Sequence, residues 1–399
     1  DCVDSNQKST LYTVDLATGQ LTEIGDFANN NIISLITIPK AKAADGAPAA
    51  IDQMHFDFVD GSLSGHIQFT APSKNFAGGN LTDSKLTYTI LNDKEEIAKG
   101  GTKPGAAVSQ PVTLNKGYNT ITIIVSNGEG PSPKFASRYY AGFDTPKPVV
   151  NAHTSVDTNT GKATVTWEAP AGGQNEGYVG ELTYDIKRYP EGKVIKTGHV
   201  GTMFEDTLPE GETAVYGYGI TPNNHGTMGE EMVSNYVSYG APITPPFANG
   251  FESEADLAYF KVIDADNDGI TWGIEEPGMF NDNDGYARIL RGEEKHSFDD
   301  WLVSPALHVK ANHQYKISFR LSGRYKYYEE QFEVKYGTAP TPEAMTKTLM
   351  PQTMIKRSDF EAVTLTLDAD KDETIYLGFH ALSVKPEAMG VKIDDVVMT

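Results

Sequence analysis

The sequence predicts an all-β protein, and three observations carry that prediction. Aromatic and β-branched residues recur in short alternating runs, 38 glycines and 22 prolines punctuate them, and no long stretch keeps a 3.6-residue apolar period. With 399 residues the chain has length for about two to four domains, each able to bury a core. A formal charge of −21 argues against nucleic acid or anionic membrane as partners, because phosphate would be repelled, and it suits divalent cations. Cys2 is the single cysteine, so no intrachain disulfide can staple the fold. An acylated lipoprotein cysteine would stand first in the mature chain, and here Asp1 precedes it. The longest apolar run, Ile32 to Ile38, is too short to cross a bilayer. The opening residues do not read as a signal peptide, so one is expected to have been removed or to lie upstream.

In chain order, Leu11-Tyr-Thr-Val-Asp15, a turn at Leu16-Ala-Thr-Gly19 and Gln20-Leu-Thr-Glu-Ile-Gly25 spell a hairpin. A lone hairpin is not a stable unit, and this one resembles the edge of a β-propeller blade. Residues 1–45 therefore read as the remnant of a preceding domain, followed by a short linker, Lys40 to Pro48. Residues 46–148 and 149–246 then repeat each other. Ile67-Gln-Phe69-Thr-Ala-Pro72 matches Val165-Thr-Trp167-Glu-Ala-Pro170, Leu86-Thr-Tyr88 matches Leu182-Thr-Tyr184, and Asn127-Gly-Glu-Gly130 matches Asn223-Asn-His-Gly226, at offsets of 98, 96 and 96 residues. Short alternating segments with a core aromatic on the second strand predict a seven-stranded sandwich in each repeat. Trp167 and its counterpart Phe69 are expected to be core. The W-x-x-P phrase and the N-x-x-G turn before the last strand resemble fibronectin type III domains. The joints at Thr145-Pro-Lys-Pro148 and Ala241-Pro-Ile-Thr-Pro-Pro246 read as stiff spacers.

The stretch Asp264-Ala-Asp266-Asn-Asp268-Gly269 has the pattern of a calcium loop. Carboxylates at alternate positions let a tight turn aim successive oxygens at one centre, and the glycine permits the positive φ that closes it. Glu275 formally completes the pattern of a helix-flanked calcium hand. The flanks Tyr259-Phe-Lys-Val-Ile263 and Ile270-Thr-Trp-Gly-Ile274 are β-branched and aromatic, however, and Thr271 holds a position that is aliphatic in such hands. A calcium loop between strands, in a metal-stapled β-domain, is the expectation.

Around that loop lie further phrases: Phe251-Glu252, Phe298-Asp-Asp300-Trp-Leu-Val-Ser-Pro305, the strand Tyr328-Glu-Glu-Gln-Phe-Glu-Val-Lys-Tyr336 and the closing Ile393-Asp394-Asp395-Val396. With the aspartate loop and its following Trp272, they resemble the cleaved-adhesin modules of bacterial haemagglutinin-adhesins, also called choice-of-anchor J domains and related to MAM-type jelly rolls. The resemblance covers residues 247–399 and implies a β-jelly-roll that binds calcium near the meeting of its terminal strands. Carried over motif by motif, it implies Glu252, Asp264, Asp266, Asp268, Asp300 and the pair Asp394 and Asp395 as ligands. Asp300 stands where the family usually has Asn, which adds charge. Calcium takes about six to eight oxygens, more than the loop alone offers, so carboxylates from the paired first and last strands are expected at the same ion. A second acidic turn, Asn281-Asp282-Asn-Asp284-Gly285, is a separate candidate for a second ion.

Catalytic signatures are missing: the nine histidines form no H-E-x-x-H or H-x-H pair, no G-x-S-x-G elbow occurs, and Cys2 has no histidine nearby. Carboxylate pairs carry no glycosidase signal in so acidic a chain. The expected protein is a secreted or cell-surface bacterial adhesion protein in which two fibronectin type III-like sandwiches present a calcium-stabilised jelly roll. Its ligand is expected to be a glycan or an extracellular protein, contacted by Tyr325, Tyr327 and Tyr328 of Gly323-Arg-Tyr-Lys-Tyr-Tyr and by Tyr286 if those rings are exposed rather than packed. Accessory modules of a larger secreted protease or glycoside hydrolase are the alternative, and a ligand-free stalk is a third.

Overall fold

The computed structural model describes residues 10–14, 21–26, 43–82, 85–278, 284–291, 297–384 and 388–399. Cys2, the turn at 16–19, the apolar run at 32–38, the start of the linker at 40–42 and Asp282 lie outside the described residues. Strands dominate; the described helical segments are Glu254–Leu257 and a 3₁₀ turn at Pro342–Ala344. No described helix is long and apolar enough to cross a membrane.

The chain divides into two compact units, the first comprising residues 1–57, 65–112 and 120–139. Its hairpin pairs Thr10–Val14 with Leu21–Asp26, the register slipping between Leu11 and Tyr12. The strands of the first repeat form a three-stranded sheet (Met54–Phe58, Ser64–Thr70, Ala107–Thr113) and a larger one ordered Phe135–Ala141, Gly117–Asn127, Leu86–Asn92, Glu95–Thr102. Phe69 is buried, its ring edge-to-face with Tyr88 at 5.4 Å.

The second unit comprises residues 58–64, 113–119 and 140–399. Its sandwich repeats the same plan. Val150–Asp157, Lys162–Glu168 and Met203–Thr207 form one sheet, and Lys193–His199, Thr183–Tyr189 and Ala214–Asn224 lead the other. Lys162–Glu168 alternates strictly, sending Ala163, Val165 and Trp167 inward, as a strand with one wet face must. Trp167 meets Tyr184 edge-to-face at 5.2 Å, the same packing that Phe69 makes with Tyr88. Burying a large apolar side chain of this kind stabilises by about 1.5–3 kcal/mol.

Residues 247–399 form a sandwich of two antiparallel sheets. One runs Gly273–Glu275, Tyr286–Leu290, Gly390–Met398, His313–Gly323, Glu361–Ala369; the other runs Lys261–Asp264, Asp300–Val303, Glu373–Ala381, Glu330–Gly337, Lys347–Ile355. Along His313–Gly323, Tyr315, Ile317, Phe319 and Leu321 point into the core, with Lys316, Ser318 and Arg320 between them. Phe319 packs edge-to-face on Phe379 from the opposite sheet at 5.4 Å. The short first strand Phe247–Asn249 pairs with the last, Phe247 opposite Met398 and Asn249 opposite Val396, so the ends of this sandwich meet as expected. The whole is an all-β assembly of sandwiches.

Candidate functional site

Lys261–Asp264 pairs with Asp300–Val303 so that Asp264 stands opposite Asp300. Beyond Asp264 the chain leaves this sheet for Gly273–Glu275, an edge strand of the other. Asn267 and Gly269 take positive φ, 57° and 81°, to make the turn. Asp264 holds the turn together: its Oδ1 accepts the Asp268 N–H at 3.2 Å and its Oδ2 the Gly269 N–H at 2.9 Å. Asp268 Oδ1 accepts the Ile270 N–H at 2.8 Å. This folding leaves carboxylate oxygens of Asp264, Asp266 and Asp268 within 4.8 Å of one another. Glu275 is buried and pairs with Arg288, so strands flank the loop and the calcium-hand pattern is not completed.

Asp300 decides what this loop can do. Its side chain is fully buried, and neither oxygen has a hydrogen-bond partner. Burial, then the charges of Asp266, Asp264 and Asp268, push it up to about 7; the Thr271 hydroxyl, short of good hydrogen-bond geometry, lowers it only in part. Asp266 is likewise raised by burial and by the Asp268 charge. For Asp264 burial also raises the value, but the Gly269 and Asp268 amides outweigh it and hold the carboxyl below the usual range. A buried carboxylate without a partner costs several kcal/mol unless a proton or cation neutralises it. Carboxylates with a neighbouring hydroxyl are the donor set of a hard cation, and calcium suits them better than zinc, which prefers nitrogen and sulfur. The converging oxygens of Asp264, Asp266 and Asp268 therefore fit calcium, with the buried Asp300 carboxyl near enough to feel their charge.

The remaining expected ligands gather elsewhere. Arg320 lies among Asp284, at 2.8 Å, Asp394, and Asp395, whose Oδ2 is 3.4 Å from Nε. Asp394 is fully buried and rises to about 7, because burial and the charges of Asp395 and Asp284 exceed what Arg320 and the Asp395 amide take back. Glu252 accepts the Gly285 N–H at 3.1 Å, and a Cβ placed on Gly250 would lie 3.5 Å from Glu252 Oε1 and 3.9 Å from Asp395 Oδ1. The single centre expected from the sequence is thus replaced by two groups. Asp264 and Asp300 end neighbouring strands of one sheet, whereas Asp394 and Asp395 belong to a strand of the other. Asp282, paired with Asp284 in the sequence reading, lies outside the described residues.

The tyrosine candidates separate by exposure. Tyr325 and Tyr327 are 41% and 76% exposed, and Tyr328 is half-buried with its ring 6.1 Å from that of Tyr325. Tyr286 is buried, edge-to-face on Phe360 at 5.5 Å and capped by Lys392, so its ring is committed to packing and leaves the contact set.

No family model matches the chain, and no curated protein matches it. Solved structures that resemble it include the K1 cleaved adhesin domain of Lys-gingipain from Porphyromonas gingivalis W83, 20% identical over 39% of this chain and 98% of that one, with a TM-score of 0.32. The CBM22-1 xylan-binding domain of Paenibacillus barcinonensis Xyn10C is 8% identical over 40% of this chain and 96% of its own, TM-score 0.27. The FN1–FN3 domains of chicken CNTN1 are 12% identical over 88% of this chain and 99% of that chain, TM-score 0.24. Likenesses at these scores carry no functional argument, which rests on the side chains above.

Two features of this region were not foreseen. Arg320 alternates with core residues on an ordinary strand, and only the long-range register that sets it opposite Asp394 gives it three acidic neighbours. His380 is held between Glu333, 2.9 Å from Nδ1, and Asp299, 2.8 Å from Nε2, with its ring stacked on Trp301 at 3.9 Å. The adjacent aspartates Asp299 and Asp300 thus take different tasks: one faces His380, the other the acidic loop. The motif named Asp300 from the sequence, but not the task of Asp299.

Proposed function

We propose that the chain is a non-catalytic binding protein of the bacterial cell surface or surrounding medium. Two fibronectin type III-like sandwiches, 46–148 and 149–246, space a calcium-stabilised jelly roll, 247–399, which contacts a glycan or an extracellular protein. The observation that carries the binding part is the turn Gly323–Tyr328, where two tyrosine rings face solvent between strands His313–Gly323 and Glu330–Gly337 of the two sheets. Exposed rings pack against the C–H faces of sugars at small entropic cost, because a tyrosine has few torsions to freeze. Calcium supplies positive charge to a loop that spans the two sheets; Asp264, Asp266, Asp268 and Asp300 would hold it. Neutralising Asp300 there stabilises the folded form alone, so the ion has a structural task. Glu252, Asp394 and Asp395 stay candidates for a second ion, in competition with Arg320.

A glycan array probed with the full chain, with calcium and with chelator, tests the reading. Binding to a defined set of sugars, weakened by chelator, supports it. Silence across the array in calcium removes the glycan part and favours a spacer or stalk.

A further inference from the structure

We infer that the turn Gly323–Tyr328 takes an anionic saccharide, one bearing sulfate esters or carboxylates, in preference to a neutral one. This deepens the glycan reading above and rests on it. The chain carries 54 acidic against 33 basic residues, yet this turn holds Arg324 and Lys326 and no acid. The nearby cations are matched: Lys356 pairs with Glu329 at 2.9 Å and Arg357 with Glu361 at 3.2 Å. Arg324 and Lys326 are not, among the described residues; each lies instead over a tyrosine. The Arg324 guanidinium carbon is 5.1 Å from the centre of the Tyr325 ring, and Lys326 Nζ is 5.1 Å from that of Tyr327.

The turn is also built in place. Gly323 N–H donates to the Arg357 carbonyl at 3.1 Å, Arg324 N–H to the Gly390 carbonyl at 2.8 Å, and Tyr328 N–H to the Tyr325 carbonyl at 3.4 Å. Gly390 is fixed in turn, since its N–H and that of Met389 both donate to the buried Glu330 Oε1 at 2.8 Å. Side chains on so anchored a backbone lose little further freedom when a ligand binds.

The pairing of cation and ring selects the ligand chemistry. A pyranose presents C–H bonds to a ring face and carries its charged substituents at the rim, where a neighbouring guanidinium or ammonium can meet them. Rings alone would serve a neutral sugar, and cations alone any anion. A long polyanion is disfavoured by the acidic remainder of the surface, but repulsion between exposed charges fades beyond about 8 Å at physiological salt. A short oligosaccharide therefore meets the local charge of the turn rather than the net charge of the chain.

The test measures binding of the full chain to four probes by calorimetry: a heparin hexasaccharide, its unsulfated uronate counterpart, sialyllactose and a neutral xylo-oligosaccharide. At least one anionic probe is expected to bind about tenfold tighter than the neutral one, the worth of one hydrogen bond to a charged group. Replacing both cations (Arg324→Ala with Lys326→Ala) should remove that preference, and Tyr327→Ala should weaken every sugar that binds. Melting curves of these variants check that the fold is intact, Lys326 and Tyr327 being exposed and Arg324 half-buried. The heparin and uronate arms distinguish sulfate from carboxylate as the recognised group. Equal affinity for anionic and neutral probes overturns the inference and leaves the glycan reading standing; no binding to any probe removes both. An anionic preference that survives loss of Arg324 and Lys326 also overturns it, because the site then lies elsewhere.

Discussion

Replacing Asp300 by Asn should change stability in opposite directions with and without calcium. In the metal-free protein the Asp300 carboxyl titrates near 7, against an ordinary value near 3.8. Between those two pH values the folded protein keeps a proton that the unfolded chain has released, so metal-free stability falls as pH rises from about 4 to about 7. The full difference is worth about 4 kcal/mol, less whatever relaxation and water entry recover. Asp300→Asn removes the charge at nearly constant volume. In chelator at pH 8 the variant should therefore be the more stable by about 2–4 kcal/mol, and at pH 5 the gap should close. In excess calcium the order should reverse, because ligand at a hundred times its dissociation constant stabilises by about 2.7 kcal/mol and the variant binds it less well. Scanning calorimetry in chelator at pH 5 and 8, and in calcium at pH 8, reads all three outcomes, with the sandwich transitions as internal controls. A variant that is less stable than its parent in chelator at pH 8, by an amount calcium does not alter, would refute the reasoning: Asp300 would then have a protein partner and no ion.

Asp266→Ala should lower the melting temperature of the jelly roll in calcium to that of the chelated parent and leave the sandwiches unmoved; identical curves for variant and parent in both media count against a structural ion. Arg320→Met leaves Asp394 buried beside Asp284 and Asp395 without a cation, a change that costs about 3–5 kcal/mol. That loss should shrink between pH 8 and pH 5 as Asp394 takes up a proton, and a loss independent of pH in denaturant titrations would contradict the assignment. Trp167→Ala should destabilise the second sandwich by about 3–5 kcal/mol through the cavity it leaves, seen as a lower transition for that sandwich alone.

Much of this architecture was legible because strands announce themselves by period. Trp167 and Phe69 could be placed in the core from the alternation around them, and the repeat of one by the other foretold two sandwiches built alike. Rejecting the calcium hand also worked, since β-branched flanks on both sides of the aspartate loop leave no room for helices. What failed was convergence. That Asp264 meets Asp300 and not Asp394 depends on which strands share a sheet, and sheet membership is fixed by pairings far apart along the chain. Tyr286 failed for a related reason: its neighbour Phe360 comes from a distant strand end, and alternation alone does not say which face of a strand will be covered.

The two acidic groups of the jelly roll pose one electrostatic problem and answer it differently. Each sets a fully buried aspartate, Asp300 or Asp394, beside two or more further carboxylates, and in each the buried carboxyl rises to about 7. At Asp394 the chain supplies the counter-charge itself through Arg320, which is raised in turn by Asp394, its side-chain bond to Asp284 and the Asp395 charge against the opposing effect of burial. At Asp300 no described cation pairs with it. A merely solvated acidic turn would not account for this, because solvation requires exposed oxygens, and the Asp300 side chain is fully buried. A carboxylate kept from water, kept from hydrogen bonds and set against three of its own kind is stable at neutral pH only with a proton or with a cation from outside. The loop's alternating carboxylates favour both, since their charge raises the Asp300 carboxyl, but only a cation would also be met by their own oxygens, and that is the ground for proposing calcium.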